Sequence, residues 1–103
     1  MRTVTKKRID IPHNRVEAFC RTNGIRRLAL YGSVLRDDFS PDSDVDVLVE
    51  FQPGTRVGLS FVRIQNELST LLGRRVDLHT PNSLSKYFRN EVLAEAKQLY
   101  VAA

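Results

Sequence analysis

Three stretches of the chain carry a clear hydrophobic period. From Asp44 to Phe51, Val45, Val47, Val49 and Phe51 alternate with Asp44, Asp46, Leu48 and Glu50, the two-residue period of a strand with unlike faces. From Ser60 to Leu72, Phe61, Ile64, Leu68 and Leu71 recur at helical spacing, and Gly73 supplies a stop. From Arg75 to His79, Val76 and Leu78 alternate with Arg75, Asp77 and His79, which predicts a second strand. The remaining signals are shorter. Pro12 to Asn23 reads as a helix with Val16, Phe19 and Cys20 on one face and Gly24 just past its end. Arg27 to Tyr31 reads as a short buried strand, closed by Gly32-Ser33. Ser33 to Asp38 starts a short helix, and the run from Phe39 to Ser43 is loop chemistry. Pro81-Asn82-Ser83 is a turn, and Ser85 to Ala96 is a final helix. Gln98 to Val101 either extends that helix or adds an edge strand.

Strands alternating with helices predict an α/β layer domain. The connector between the first two predicted strands is too short for a parallel crossover, so those strands pair antiparallel. The helix Ser60–Leu72 is long enough to return the third strand parallel to the second by a right-handed crossover. The expected product is a mixed sheet with helices packed mainly on the Val45/Val47/Val49 face.

Length and composition narrow the class. A chain of 103 residues suits one domain, 1–103. The single cysteine, Cys20, has no internal disulfide partner and is expected to be a small buried hydrophobe. Residues 1–8 carry Arg2, Lys6, Lys7 and Arg8 and are expected to form a mobile basic tail, with no apolar stretch behind them for a signal peptide. No run approaches the roughly 20 apolar residues that span a bilayer, so a cytoplasmic protein is expected. The formal net charge of +4 reads first as a solvated basic surface, because the cations are otherwise scattered. Direct nucleic-acid binding is therefore not the expectation.

The chemistry lies where the predicted strands meet. Antiparallel pairing sets Gly32-Ser33 beside Asp44 and Asp46, and the parallel crossover brings Asp77 to the same end. Asp44 and Asp46 project from one face, their Cα atoms ~6.5–7 Å apart. Two like charges ~4 Å apart repel by ~4 kcal/mol at an effective dielectric of ~20, so a cation is wanted. Hard carboxylate oxygens favour Mg²⁺ or Mn²⁺. Gly32 lets a ligand approach the backbone, and Ser33 offers its N–H, its hydroxyl and the positive end of a helix to a phosphate. Carboxylates, metal and a phosphate cradle together suggest phosphoryl or nucleotidyl transfer with two ions.

The run from Leu30 to Val49 contains Gly32-Ser33, then ten residues, then Asp44-Val45-Asp46 before an apolar strand. It resembles the Gly-Ser…Asp-x-Asp signature of the DNA polymerase β-like nucleotidyltransferase superfamily. The spacing, Arg36 and the Ser43-Asp44-Val45-Asp46 run resemble the minimal nucleotidyltransferases, commonly the antitoxins of HEPN/MNT toxin–antitoxin pairs. Leu35 departs from the pattern, because many relatives carry a small residue before the arginine.

The resemblance implies a polymerase β-like palm in which Gly32 and Ser33 hold the triphosphate. Asp44 and Asp46 ligate two Mg²⁺ ions, with Mn²⁺ as the substitute. Asp77 completes the ion nearer the acceptor and helps deprotonate its hydroxyl. The palm accounts for almost the whole chain, so the acceptor is expected on another molecule. The resemblance implies transfer of AMP from ATP to a hydroxyl of a HEPN-type toxin ribonuclease. A non-catalytic antitoxin that covers its toxin, and a transferase for a small molecule or a nucleic-acid end, are the alternatives. Arg36 contacts phosphate or pairs with Asp37 or Asp38. For Asp77 the competing reading is a solvent-facing residue or a pair with Arg75. His79 shares the predicted face of Asp77, so contact with the site is the alternative, yet with no second ligand at metal spacing it and His13 read as surface or satisfied imidazoles. Tyr87 and Tyr100 read as partly buried packing residues.

Overall fold

A computed structural model describes residues 2–4, 10–35, 43–87 and 89–102. Helix α1 (His13–Thr22) precedes strand β3 (Ile25–Tyr31), strand β4 (Val45–Phe51), helix α2 (Ser60–Leu72), strand β5 (Val76–His79), helix α3 (Arg89–Glu95) and strand β6 (Lys97–Val101). Strands β1 (Arg2–Val4) and β2 (Asp10–Pro12) stand before α1. The main sheet runs β5-β4-β3-β6. β4 is antiparallel to β3 and parallel to β5, as connector lengths require.

The alternation in β4 does what its period dictates. Val45, Val47 and Val49 are fully buried and pack with Leu28 and Leu30 of β3, Val16 and Cys20 of α1, and Ile64 and Leu68 of α2. Burying each such aliphatic side chain contributes roughly 1.5–3 kcal/mol. Cys20 is part of this layer, and burial pushes its thiol up to about 12. Both helices therefore lie on the expected face. On the other face Ala29 and Leu48 are also buried, beside Leu93 and Ala96 of the α3 segment.

Helix α2 ends as its sequence directs. Gly73 takes a left-handed φ of 69°, the Gly73 N–H donates to the Thr70 carbonyl at 3.3 Å, and the Arg74 N–H donates to the Ser69 carbonyl at 3.2 Å. The same helix secures the outer edge of β5. The Val76 N–H donates to Ser69 Oγ at 3.0 Å, and the Leu78 N–H donates to Gln65 Oε1 at 2.9 Å. An edge strand would otherwise leave these donors open.

Several expectations are corrected. Within the expected tail, Arg2–Val4 pairs antiparallel with Asp10–Pro12; residues 5–9 lie outside the described residues. β3 begins at Ile25 and carries a bulge near Arg27, where Arg26 and Arg27 both bind the Glu50 carboxylate. The final helix is shorter than Ser85–Ala96. The Ser85 hydroxyl accepts from the Tyr87 N–H at 3.3 Å, a local turn that competes with helix, and α3 starts at Arg89. Gln98–Val101 resolves as edge strand, since β6 pairs with β3. Tyr87 is 87% exposed and does not pack, whereas Tyr100 lies against the core.

Candidate active site

The strand register assembles the site. Asp46 pairs with Tyr31 in the antiparallel ladder and with Asp77 in the parallel one. Tyr31, Asp46 and Asp77 therefore sit side by side on the face away from α1 and α2. Asp77 is placed firmly: its neighbours Val76 and Leu78 are buried, and both their N–H groups are held by α2.

Gly32 follows Tyr31 with a φ of +77°. A Cβ built there would meet Asp46 Oδ2 at 2.7 Å. Only glycine lets the chain turn this close to the carboxylate. Gly32 and Ser33 open a 3-10 turn, Gly32–Leu35, with Val34 buried beneath it. The expected helix from Ser33 to Asp38 is described only as far as Leu35, as this 3-10 turn. Arg36, Asp37, Asp38 and Asp42 lie outside the described residues.

The electrostatics centre on Asp46. Burial first, and then the charge of Asp77, raise its pKa above the usual carboxylate range; His79 opposes this and Asp44 adds to it. The Tyr31 phenol is pushed up to about 12 by burial and by the charges of Asp46 and Asp77. Ionised carboxylates are thus crowded here in a way that a bound cation would relieve.

Asp44 Oδ1 accepts from Arg75 Nε at 2.5 Å, at the exposed rim of the sheet. Arg75 thus pairs with Asp44, while Asp77 takes another partner, His79, whose Nε2 lies 3.0 Å from Asp77 Oδ2. The His79 ring also meets Tyr31 edge-on, with centroids 6.1 Å apart. His79 was read from sequence as a surface or satisfied imidazole, yet the structure brings it into the site. The signal for it was the strand alternation that it shares with Asp77.

Donor atoms of Asp46, Asp77 and His79 all lie within 4.8 Å of one another. The carboxylate oxygens of Asp46, whose pKa is raised, and of Asp77 suit a divalent cation. The Gly32-Ser33 turn next to them leaves backbone accessible to a phosphate. Together they can bind a metal-bound polyphosphate and accept a proton from an attacking group.

Known proteins resemble this chain in sequence and fold. Residues 14–100 match the nucleotidyltransferase domain family. The protein adenylyltransferase MntA of Thermococcus cleftensis is 39% identical over 72 residues, covering 70% of this chain and 72% of that protein. A solved structure, provisionally named a minimal nucleotidyltransferase, superposes with a TM-score of 0.68 at 37% identity, over 82% of this chain and 85% of the other. The tri-AMPylated HEPN toxin of Shewanella oneidensis in complex with its MNT antitoxin provides a further likeness in fold. Its TM-score is 0.61 at 24% identity, over 87% of this chain and 70% of the other. The match spans most of the chain and includes the strands that carry Asp46 and Asp77: this chain belongs to the nucleotidyltransferase domain family.

Proposed function

We propose that this chain is a protein adenylyltransferase that moves AMP from ATP to a hydroxyl of a HEPN-type toxin and so acts as its cytoplasmic antitoxin. The observation that carries this reading is the Asp46–Asp77 pair beside Gly32, in a chain similar to a named protein adenylyltransferase.

In this reading Gly32 and Ser33 bind the triphosphate through backbone N–H groups and the Ser33 hydroxyl. Asp44, Asp46 and Asp77 would hold two Mg²⁺ ions, Asp44 by giving up its contact with Arg75. When bound, the ions neutralise developing charge on the phosphates and lower the pKa of the acceptor hydroxyl. The acceptor oxygen forms a bond to the α-phosphorus, the bond to the bridging oxygen breaks, and pyrophosphate leaves. Asp77 takes the hydroxyl proton. Holding both reactants in line supplies much of the rate. Arg36 stands as a further phosphate contact.

The test is intact-mass analysis of the gene-adjacent partner after co-expression with this chain. A mass gain of one or more AMP groups on the partner is expected. A neutralised but unmodified partner would favour antitoxin action by binding alone. Transfer to RNA or a metabolite would move the acceptor out of the protein class.

A further inference from the structure

We propose that His79 is a direct ligand of the ion shared by Asp46 and Asp77, and that its imidazole makes this position prefer Mn²⁺ to Mg²⁺. The inference rests on the nucleotidyltransferase reading of the same site.

The geometry carries it. Asp46, Asp77 and His79 each present one donor atom, and all three atoms lie within 4.8 Å of one another. His79 Nε2 and Asp77 Oδ2 are 3.0 Å apart. Two ligands ~2.1 Å from an ion and at right angles to each other lie about 3.0 Å apart. The spacing is therefore that of neighbouring corners of an octahedron. The backbone sets His79 on this face, because it pairs with Leu48 two steps beyond the Asp46–Asp77 pair. The Tyr31 ring meets the imidazole edge-on. The His79 side chain is less exposed than the carboxylate it touches, 31% against 51%. Bound to an ion between the carboxylates, the imidazole would carry its proton on Nδ1 and direct the Nε2 lone pair at the ion.

The donor set then selects the metal. Mg²⁺ favours oxygen ligands and retains much of its water. Nitrogen ligands bind Mn²⁺ and the later divalent ions better than they bind Mg²⁺. Asp44, at the far side of Asp46 and tied to Arg75, lies outside this set. The ion on the nucleotide side remains an oxygen-ligated Mg²⁺ site.

The experiment uses the untagged full chain, which contains two histidines, His13 and His79. Pulsed electron paramagnetic resonance with Mn²⁺ alone reads a nitrogen ligand directly. A nitrogen coupling is expected in the wild type and in His13→Ala, and none in His79→Val. Calorimetric titration should give Mn²⁺ at least ~10-fold tighter than Mg²⁺ in the wild type, with that ratio falling ~10-fold in His79→Val. The absence of nitrogen coupling in the wild type would overturn the proposal, even if His79→Val fails to fold. So would an unchanged Mn²⁺ to Mg²⁺ ratio in a folded His79→Val. If Asp46→Asn and Asp77→Asn abolish Mn²⁺ binding while either result holds, only the imidazole ligand is lost. If those two variants bind Mn²⁺ as the wild type does, the carboxylate site itself fails, and the functional reading with it.

Discussion

Gly32 and Asp46 stand against each other: a Cβ on residue 32 would fall 2.7 Å from Asp46 Oδ2, on a backbone with φ of +77°. Gly32→Ala must therefore strain the turn and displace the Asp46 carboxylate. A non-glycine residue at such a φ costs roughly 1–2 kcal/mol. The variant should fold with a lower denaturation midpoint in urea, and its transfer rate should fall at least ~10-fold. A midpoint and rate equal to those of the wild type would show that the turn is not constrained by Asp46.

Asp46→Asn should separate stability from activity. The Asp46 pKa is raised in the folded state, by burial and then by Asp77. A raised folded-state pKa means that its stability contribution is complete below the unfolded pKa of ~3.9 and lost as pH rises through the folded value. At neutral pH the ionised group therefore costs stability. Without metal, Asp46→Asn should melt roughly 1–4 °C higher than the wild type at pH 7, with the gap closing near pH 4. Thermal melts at the two pH values check this, and a variant that melts lower at pH 7 would contradict it.

Asp77 depends on α2 for its position. Gln65→Leu would remove the acceptor of the Leu78 N–H. A partly buried donor left open costs about 1–3 kcal/mol. Transfer should also slow, because Asp77 is the residue between the two pinned amides. Urea denaturation and single-turnover rates would report the two effects; a loss of stability with no loss of rate would leave Asp77 independent of this edge.

Arg75 holds Asp44 at the rim, with 77% of the arginine side chain exposed. An exposed pair of this kind contributes at most about 1 kcal/mol. Arg75→Gln should thus be nearly neutral for folding. It should lower the Mg²⁺ concentration at half-maximal transfer, since Asp44 no longer has to exchange partners. A higher Mg²⁺ requirement would indicate that Arg75 supports the site instead of competing with the ion.

Much of this arrangement is legible in the sequence. The valines of β4 and the apolar stripe of α2 each face one environment, so their periods are clean, and α2 spans Ser60–Leu72 as its stripe predicts. The antiparallel and parallel pairings follow from connector length, and they bring residue 77 beside residue 46 before any coordinates are known. What the pattern hides is set by contacts distant in sequence or by very short elements. The three-residue pair of Arg2–Val4 and Asp10–Pro12 has no period to read. The Asp44–Arg75 contact is a choice between salt-bridge partners that spacing alone leaves open. The alternation places His79 on the face of Asp77, but a lone histidine has no motif, so the sequence leaves its contact with the site as the lesser alternative.

The most direct measurement is transfer from α-labelled ATP to the partner protein by the wild type, Asp46→Asn and Asp77→Asn, each verified as folded. Metal-assisted charge stabilisation is worth several kcal/mol, so removing either carboxylate should slow transfer by at least ~100-fold. Label on the partner with the wild type and nearly none with either variant is the predicted result. Wild-type labelling by either variant would contradict the account.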